Sequence, residues 1–151
     1  MLASLVAGIA VLWAVALPGT AYLATLSSGP AQLLAVAVYG LGSVICHQRA
    51  DRSFHLFAEQ LPVCARCAGL YAGAALTAVA HLWGMRRTMP AADLTLASRR
   101  LLTIAALPMA ASIVYEWSTG DVPSNLARAA TGIILGAAVT YVILAAIDST
   151  R

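Results

Sequence analysis

The chain reads as an all-α membrane protein, a polytopic bundle of about five transmembrane helices that makes one membrane domain over residues 1–151. Three observations predict it. Apolar residues make up 61% of the sequence and charged residues only 10%, whereas soluble domains run nearer about a quarter charged. No charged residue precedes Arg49. Later uncharged runs, between Arg66 and Arg86, between Arg100 and Glu116, and between Arg128 and Asp148, are each near the length needed to cross a bilayer.

Taken in order, the uncharged lead would be roughly 70 Å long as one helix, more than twice a hydrocarbon core, so it folds back once. The expected break is Ser27-Ser28-Gly29-Pro30, because Gly-Pro ends a helix and serines can satisfy freed backbone groups. This gives helices over Leu2 to Leu26 and Ala31 to Ile45. The first apolar run has no basic segment ahead of it, which argues against a cleaved signal peptide. The remaining helices are expected over Cys67 to Gly84, Leu101 to Trp117 and Leu126 to Ile147. Gly69-x-x-x-Gly73 and Gly132-x-x-x-Gly136 give the third and fifth helices flat faces that let backbones approach, bringing Cys67 and Arg128 together.

Arg86, Arg87, Arg99 and Arg100 lie between the third and fourth helices, the densest basic loop in the chain, and such loops stay in the cytoplasm. Loops 46–66 and 116–128 then share the extracytoplasmic face of the inner or plasma membrane. Arg49 and Arg52 pull the other way, but the reversed topology would still keep the two loops together. The net charge of +3 is carried by arginines at helix ends, with no lysine, so nucleic acid binding is not indicated and the expected surroundings are the lipid bilayer.

The polar residues gather in those two loops. Cys64-x-x-Cys67 suits either chelation of one metal or a small disulfide, and at a helix amino terminus the dipole favours thiolate. With Cys46 and His47 the pair makes three sulfurs and an imidazole, a set that zinc accepts with tetrahedral geometry. Adjacent residues do not readily point at one ion, so three of the four is the smaller candidate set. The rival chemistry is redox, with the reduced Cys64 and Cys67 pair passing two electrons to a membrane quinone and closing to a disulfide, and Cys46 as resolving thiol. The bland reading makes the cysteines small core residues.

Arg49, Arg52 and Arg66 beside the cysteines could hold a phosphate or carboxylate through their planar forks, or belong to an ordinary solvated loop. Ser53, Glu116, Ser124, Asn125 and Arg128 share that face. Ionisable groups at membrane depth are costly, which makes Glu116 and Arg128 functional candidates; in the bland reading they neutralise each other while Ser124 or Asn125 caps a helix. His81 lies at the far end of the third helix, where a packing role is expected.

These residues resemble the predicted integral membrane proteins of domain-of-unknown-function family 2085. The blocks that carry the resemblance are Cys46-His47-Gln48, Arg52-Ser53-Phe54, Pro62-Val63-Cys64-Ala65-Arg66-Cys67-Ala68-Gly69-Leu70-Tyr71-Ala72-Gly73, and Ser124-Asn125-x-x-Arg128-x-x-Thr131-Gly132. The resemblance implies a bacterial or archaeal membrane protein of several helices that shares this outer-face set, and implies no activity. In the fourth helix it leads one to expect an aspartate and, one turn later, a glutamine; Ser112 and Glu116 stand there instead, which leaves the carboxylate's role open between acid, base and ligand.

The leading expectation is therefore a zinc or similar ion on Cys46, His47, Cys64 and Cys67. Beside it, a pocket for an anionic or lipid-like substrate would use Arg49, Ser53, Arg66 and Asn125, with Glu116 as general base and Arg52 or Arg128 holding the anion. A hydrolase or transferase would follow, with the quinone-linked oxidoreductase as alternative. A transporter is the third class, and with five short helices it would need a homo-oligomer.

Overall fold

The computed structural model describes residues 1–85 and 91–150, the side chains of 91–95 excepted. Its helices are α1 (Leu2–Ala24), α2 (Gly29–Ile45), α3 (Ala65–Leu82), α4 (Ala91–Thr119) and α5 (Asn125–Ser149). Between α2 and α3 lie a single 3-10 turn, Ala50–Arg52, and a two-stranded hairpin of β1 (His55–Leu56) and β2 (Glu59–Gln60). The all-α class and the five helices stand as the sequence predicts. Three helical stretches, Leu2–Ala24, Leu96–Thr119 and Asn125–Ser149, are long and apolar enough to cross a membrane, and α2 is apolar but shorter. Large apolar side chains face outward along them, Leu12 being 70% and Ile104 66% exposed, as lipid-facing positions require.

The α1–α2 connection falls earlier than expected. The chain turns at 25–28, and Gly29 and Pro30 open α2 instead of separating it from α1. Proline lacks the N–H that a first-turn residue would leave unpaired anyway and its φ is already helical, so it starts a helix more readily than it ends one here. The start of α4 is a larger correction. It begins at Ala91, ahead of the expected Leu101, so Arg99 and Arg100 are exposed residues of a helix and not of a loop. Ala91, Ala92, Leu94, Leu96 and Ala97 are good helix formers, and arginine is as well. Arg86 and Arg87 lie outside the described residues.

The bundle is organised on α5. The most extensive packing joins α3 and α5; α1 packs on α3 and on α2, and α4 packs on α5. The glycine pairs explain the closeness of α3 and α5. A Cβ at Gly69 would overlap the backbone of Ala129, at Gly73 the carbonyl of Ile133, at Gly132 that of Arg66 and at Gly136 that of Leu70. Both pairs sit at the crossing, where missing side chains let dispersion act between backbones. Gly136→Ala is expected to lower stability by about 1–3 kcal/mol, the usual cost of overpacking, readable as a fall in thermal midpoint in detergent. At the far end of the same interface His81 is buried, with Nε2 3.8 Å from Asp148 Oδ2, consistent with a packing histidine.

The polar loop is more ordered than a solvated connection. Gln48 Nε2 donates to the carbonyls of Tyr39 and Pro62, both at 2.8 Å, and Gln60 Nε2 donates to the Gln48 carbonyl at 2.7 Å. The Tyr39 hydroxyl donates to the Gln60 carbonyl. Gly42 leaves room on α2 for the Pro62 carbonyl and the Gln48 amide, so the loop lies down on the helix. The hairpin turn is made by Phe57 and Ala58 at φ 56° and 66°, a left-handed pair that normally takes Asn-Gly. Ala58→Gly should raise stability by about 1 kcal/mol, the cost of holding an L-residue there, provided the thermal midpoint rises without loss of the Phe57–Tyr22 ring contact.

Candidate metal centre and arginine pocket

Cys46 ends α2 and Cys64 begins α3, so each sits where a helix hands its backbone over to the loop. Cys46 is extended (φ −148°, ψ 141°) and buried, with its N–H on the Gly42 carbonyl. Pro62 and Val63 are buried beside it, and the Cys64 N–H donates to Cys46 Sγ at 3.1 Å. Cys67 lies one turn into α3. The three thiols are free, and their sulfurs all lie within 4.8 Å of one another. A hydrogen bond from the Cys67 thiol, stronger than the opposing effect of burial, brings the Cys64 pKa down to about 5. A sulfur whose thiolate form is favoured in this way is suited to metal ligation.

His47 is placed apart from this trio. It is exposed, and its Nδ1 accepts the Arg49 N–H at 3.3 Å. In extended backbone successive side chains point to opposite sides, so a chain that buries Cys46 turns His47 outward. The imidazole still borders the cleft of about 270 Å³ onto which Cys46, Cys64, Arg66 and Cys67 open.

Next to the cysteines, four elements converge on one carboxylate. Glu116, from the last turns of α4, is 7% exposed. Its Oε1 lies 2.7 Å from Arg52 Nη2, and its Oε2 lies 2.9 Å from Arg66 Nη2 and 3.0 Å from Arg128 Nη2. Arg52 comes from the 3-10 turn, Arg66 from the first turn of α3 and Arg128 from the first turns of α5. Arg66 Nη2 also reaches Ser112 Oγ at 3.2 Å. Arg128 is 1% exposed, the largest side chain so deeply buried. The centre carries more positive than negative charge, and the buried Nε atoms of Arg52, Arg66 and Arg128 have no hydrogen-bond partner. Arg128 Nη2 is close to Glu116 but out of line for a hydrogen bond, so it is unsatisfied too.

The remaining sequence candidates separate. Asn125 Nδ2 donates to the Ser53 carbonyl at 3.0 Å, and Ser53 Oγ to the Arg49 carbonyl at 2.8 Å, which ties the start of α5 to the arginine turn. Ser124 caps α5 by accepting the Ala127 N–H. Arg49 is exposed and paired with Asp51 at 3.2 Å, away from Glu116; the hydrogen bond from Arg49 holds the Asp51 carboxyl below its ordinary value. Sequence reasoning missed Gln48, Gln60 and Tyr39. The signal available for Gln48 was its place directly after Cys46-His47 in a block otherwise made of site residues.

The comparisons with known proteins bear on the same stretch. A family model described as a predicted membrane protein, DUF2085, matches residues 46–142. The chain belongs to that family. The matched span opens at Cys46 and takes in every residue of both centres, leaving α1, α2 and the end of α5 outside. An uncharacterised protein of the archaeon Methanocaldococcus jannaschii is 31% identical over 113 residues, covering 75% of this chain and 70% of the relative. No solved structure matches the chain. A member of DUF2085 is thus a membrane protein, and here it carries three clustered cysteines that could hold a metal.

Proposed function

We propose that Cys46, Cys64 and Cys67 bind one zinc-class divalent ion at a membrane-embedded centre, and that the adjoining arginine pocket takes the anionic part of a substrate. The observation that carries this is the sulfur trio. Around a tetrahedral ion with bonds of about 2.3 Å, ligand sulfurs sit roughly 3.8 Å apart, a small contraction from the separation of up to 4.8 Å found here. The fourth position faces the cleft, within reach of a water, a substrate atom or a swung His47. An open position is what distinguishes a catalytic from a structural zinc site, and an ion there supplies Lewis acidity and a bound water of lowered pKa.

The chain's own residues have separable tasks in this reading. Arg52, Arg66 and Arg128 offer guanidinium N–H groups to an anion, and Glu116 aligns the three forks by tying down one nitrogen of each. Held this way, Glu116 serves as counter-ion and positioning group more readily than as general base. Ser53 and Asn125 fix the arginine turn to α5, and Arg49 balances Asp51 at the rim. The reaction class that fits is metal-assisted hydrolysis or group transfer at a phosphate- or carboxylate-bearing substrate. The positive bias of Arg86, Arg87, Arg99 and Arg100 supports placing the centre on the extracytoplasmic side, where a membrane-impermeant maleimide added to chelator-treated intact cells should label Cys67, the half-buried thiol of the three.

Elemental analysis and thiol counting on protein purified in detergent without reductant test the proposal. About one zinc per chain is the expected result. Protein with no metal and a single reactive thiol would contain a Cys64–Cys67 disulfide, and the quinone-linked thiol oxidoreductase would take the place of the metal centre.

A further inference from the structure

Among the described residues α4 packs mainly on α5, and Arg66 of α3 reaches across to Ser112 and Glu116 of α4. The seam below that bridge is open. Two cavities lie along it in line. The upper one is the cysteine cleft, bounded on α3 by Arg66 and Leu70 and on α4 by Met109. The lower, of about 680 Å³, lies mostly between α4 and α5, lined by Leu101, Ile104 and Ala105 on α4 and by the α5 face from Ile133 to Tyr141, with Thr77 of α3 at its edge. Residue pairing across the seam is consistent with antiparallel helices: Arg66 meets Ser112, Leu70 and Met109 share the upper cavity, and Thr77 shares the lower one with Leu101 and Ala105.

We propose that this seam is the binding slot for an amphiphile with an anionic, phosphate-class head, the head at the arginine pocket and one of its acyl or isoprenoid chains laid along α5 between α3 and α4. Charge complementarity selects the head. Three guanidinium groups face one buried carboxylate; Arg52 Nε also lies 3.5 Å from the exposed Asp51, while the Nε atoms of Arg66 and Arg128 are buried with no hydrogen-bond partner. An uncompensated buried cation is costly, and a further anion would both neutralise the excess and satisfy the orphaned N–H groups. Length and polarity select the chain. From Ser112 to Leu101 is about 16 Å along α4, close to the acyl depth of one leaflet of a bilayer with a hydrocarbon core of roughly 30 Å. A lipid can enter such a slot sideways from its own leaflet, with the phosphate arriving beside Cys46, Cys64 and Cys67.

The slot rests on the arginine pocket of the proposed function and does not depend on the metal. Native mass spectrometry of the full chain in lipid-free detergent tests it, with dioleoyl phosphatidic acid, dioleoyl glycerol and inorganic phosphate as probes. The expected result is one phosphatidic acid per chain, with Arg66→Gln and Ile104→Trp each weakening retention by about tenfold or more. Leu107→Trp, on the same helix but not lining the lower cavity, should bind as the parent does, which separates a blocked slot from a general effect of tryptophan on α4. Equal retention of dioleoyl glycerol would remove the charged head from the proposal. Phosphatidic acid binding unchanged in Ile104→Trp would remove the slot, as would inorganic phosphate displacing the lipid completely. Zinc measured in the same samples keeps the two readings apart: metal without lipid retention sinks the slot alone, and lipid retention without metal sinks the metal centre alone.

Discussion

Glu116→Ala is expected to cost about 3–5 kcal/mol, enough to leave much of the protein unfolded or proteolysed, because removing one partner strands buried charge on the other. Here a single carboxylate serves three guanidinium groups drawn from the 3-10 turn, α3 and α5. The loss therefore leaves three cations facing each other with no anion between them. It also unties four elements at once, since Glu116 itself comes from α4. The result should appear as a lowered thermal midpoint in detergent and as poor accumulation in the membrane. A variant with wild-type stability would mean that water or lipid phosphate already neutralises the arginines, and that Glu116 is dispensable to the fold.

The same geometry accounts for the fourth-helix departure. Arg66 Nη2 touches Ser112 Oγ and Glu116 Oε2 together, so positions 112 and 116, one turn apart on α4, present their side chains to the same guanidinium. A carboxylate at either position is within its reach. Ser112→Asp combined with Glu116→Gln should accordingly recover most of the stability that Glu116→Gln loses alone, a coupling that a double-mutant cycle in thermal unfolding would register. No recovery would show that Arg52 and Arg128, which reach only position 116 in this arrangement, carry most of the interaction.

How much of this was legible in the sequence depends on the range of the physics involved. The helices were legible because charge is excluded from lipid, so uncharged runs mark them without any tertiary information. The glycine pairs were legible for a related reason, since a small-residue spacing of four on an apolar helix has few uses besides close packing. Where a rule had two meanings, the reading slipped. Gly29-Pro30 can end one helix or open the next, and Arg99-Arg100 can mark a loop or the exposed flank of a helix entering the membrane. The hairpin was illegible because Phe57 and Ala58 carry none of the turn chemistry that announces a left-handed pair. The convergence on Glu116 was illegible for a deeper reason: Arg52 and Arg66 are separated by the hairpin and Arg66 and Arg128 by two helices, and the close α3–α5 crossing at the glycines helps bring the last two to one point. Charge arithmetic along the chain suggested an exchange between Glu116 and Arg128 and gave no hint that two other arginines shared it.

The second large effect is expected at the cysteines, and it decides the ligand set. Cys64→Ala should abolish zinc binding in protein purified at neutral pH, whereas His47→Ala should retain about one zinc per chain with affinity lowered by about tenfold or less. The argument is geometric. Cys64 sits at the start of α3 with its N–H on Cys46 Sγ, and removing its thiol leaves one sulfur at the end of α2 and one inside α3. Two thiolates and a solvent position are a weak site for an ion that favours four close ligands. His47 contributes through the rim of the cleft, where its Nδ1 is engaged with the Arg49 N–H and its ring is exposed. For the imidazole to ligate, the extended backbone at Cys46 would have to turn, at the expense of the Cys46 N–H bond to Gly42 that ends α2. Retained metal in Cys64→Ala, or complete loss in His47→Ala, would reverse this ordering and make the histidine a principal ligand, with the loop between α2 and α3 rearranging around the ion.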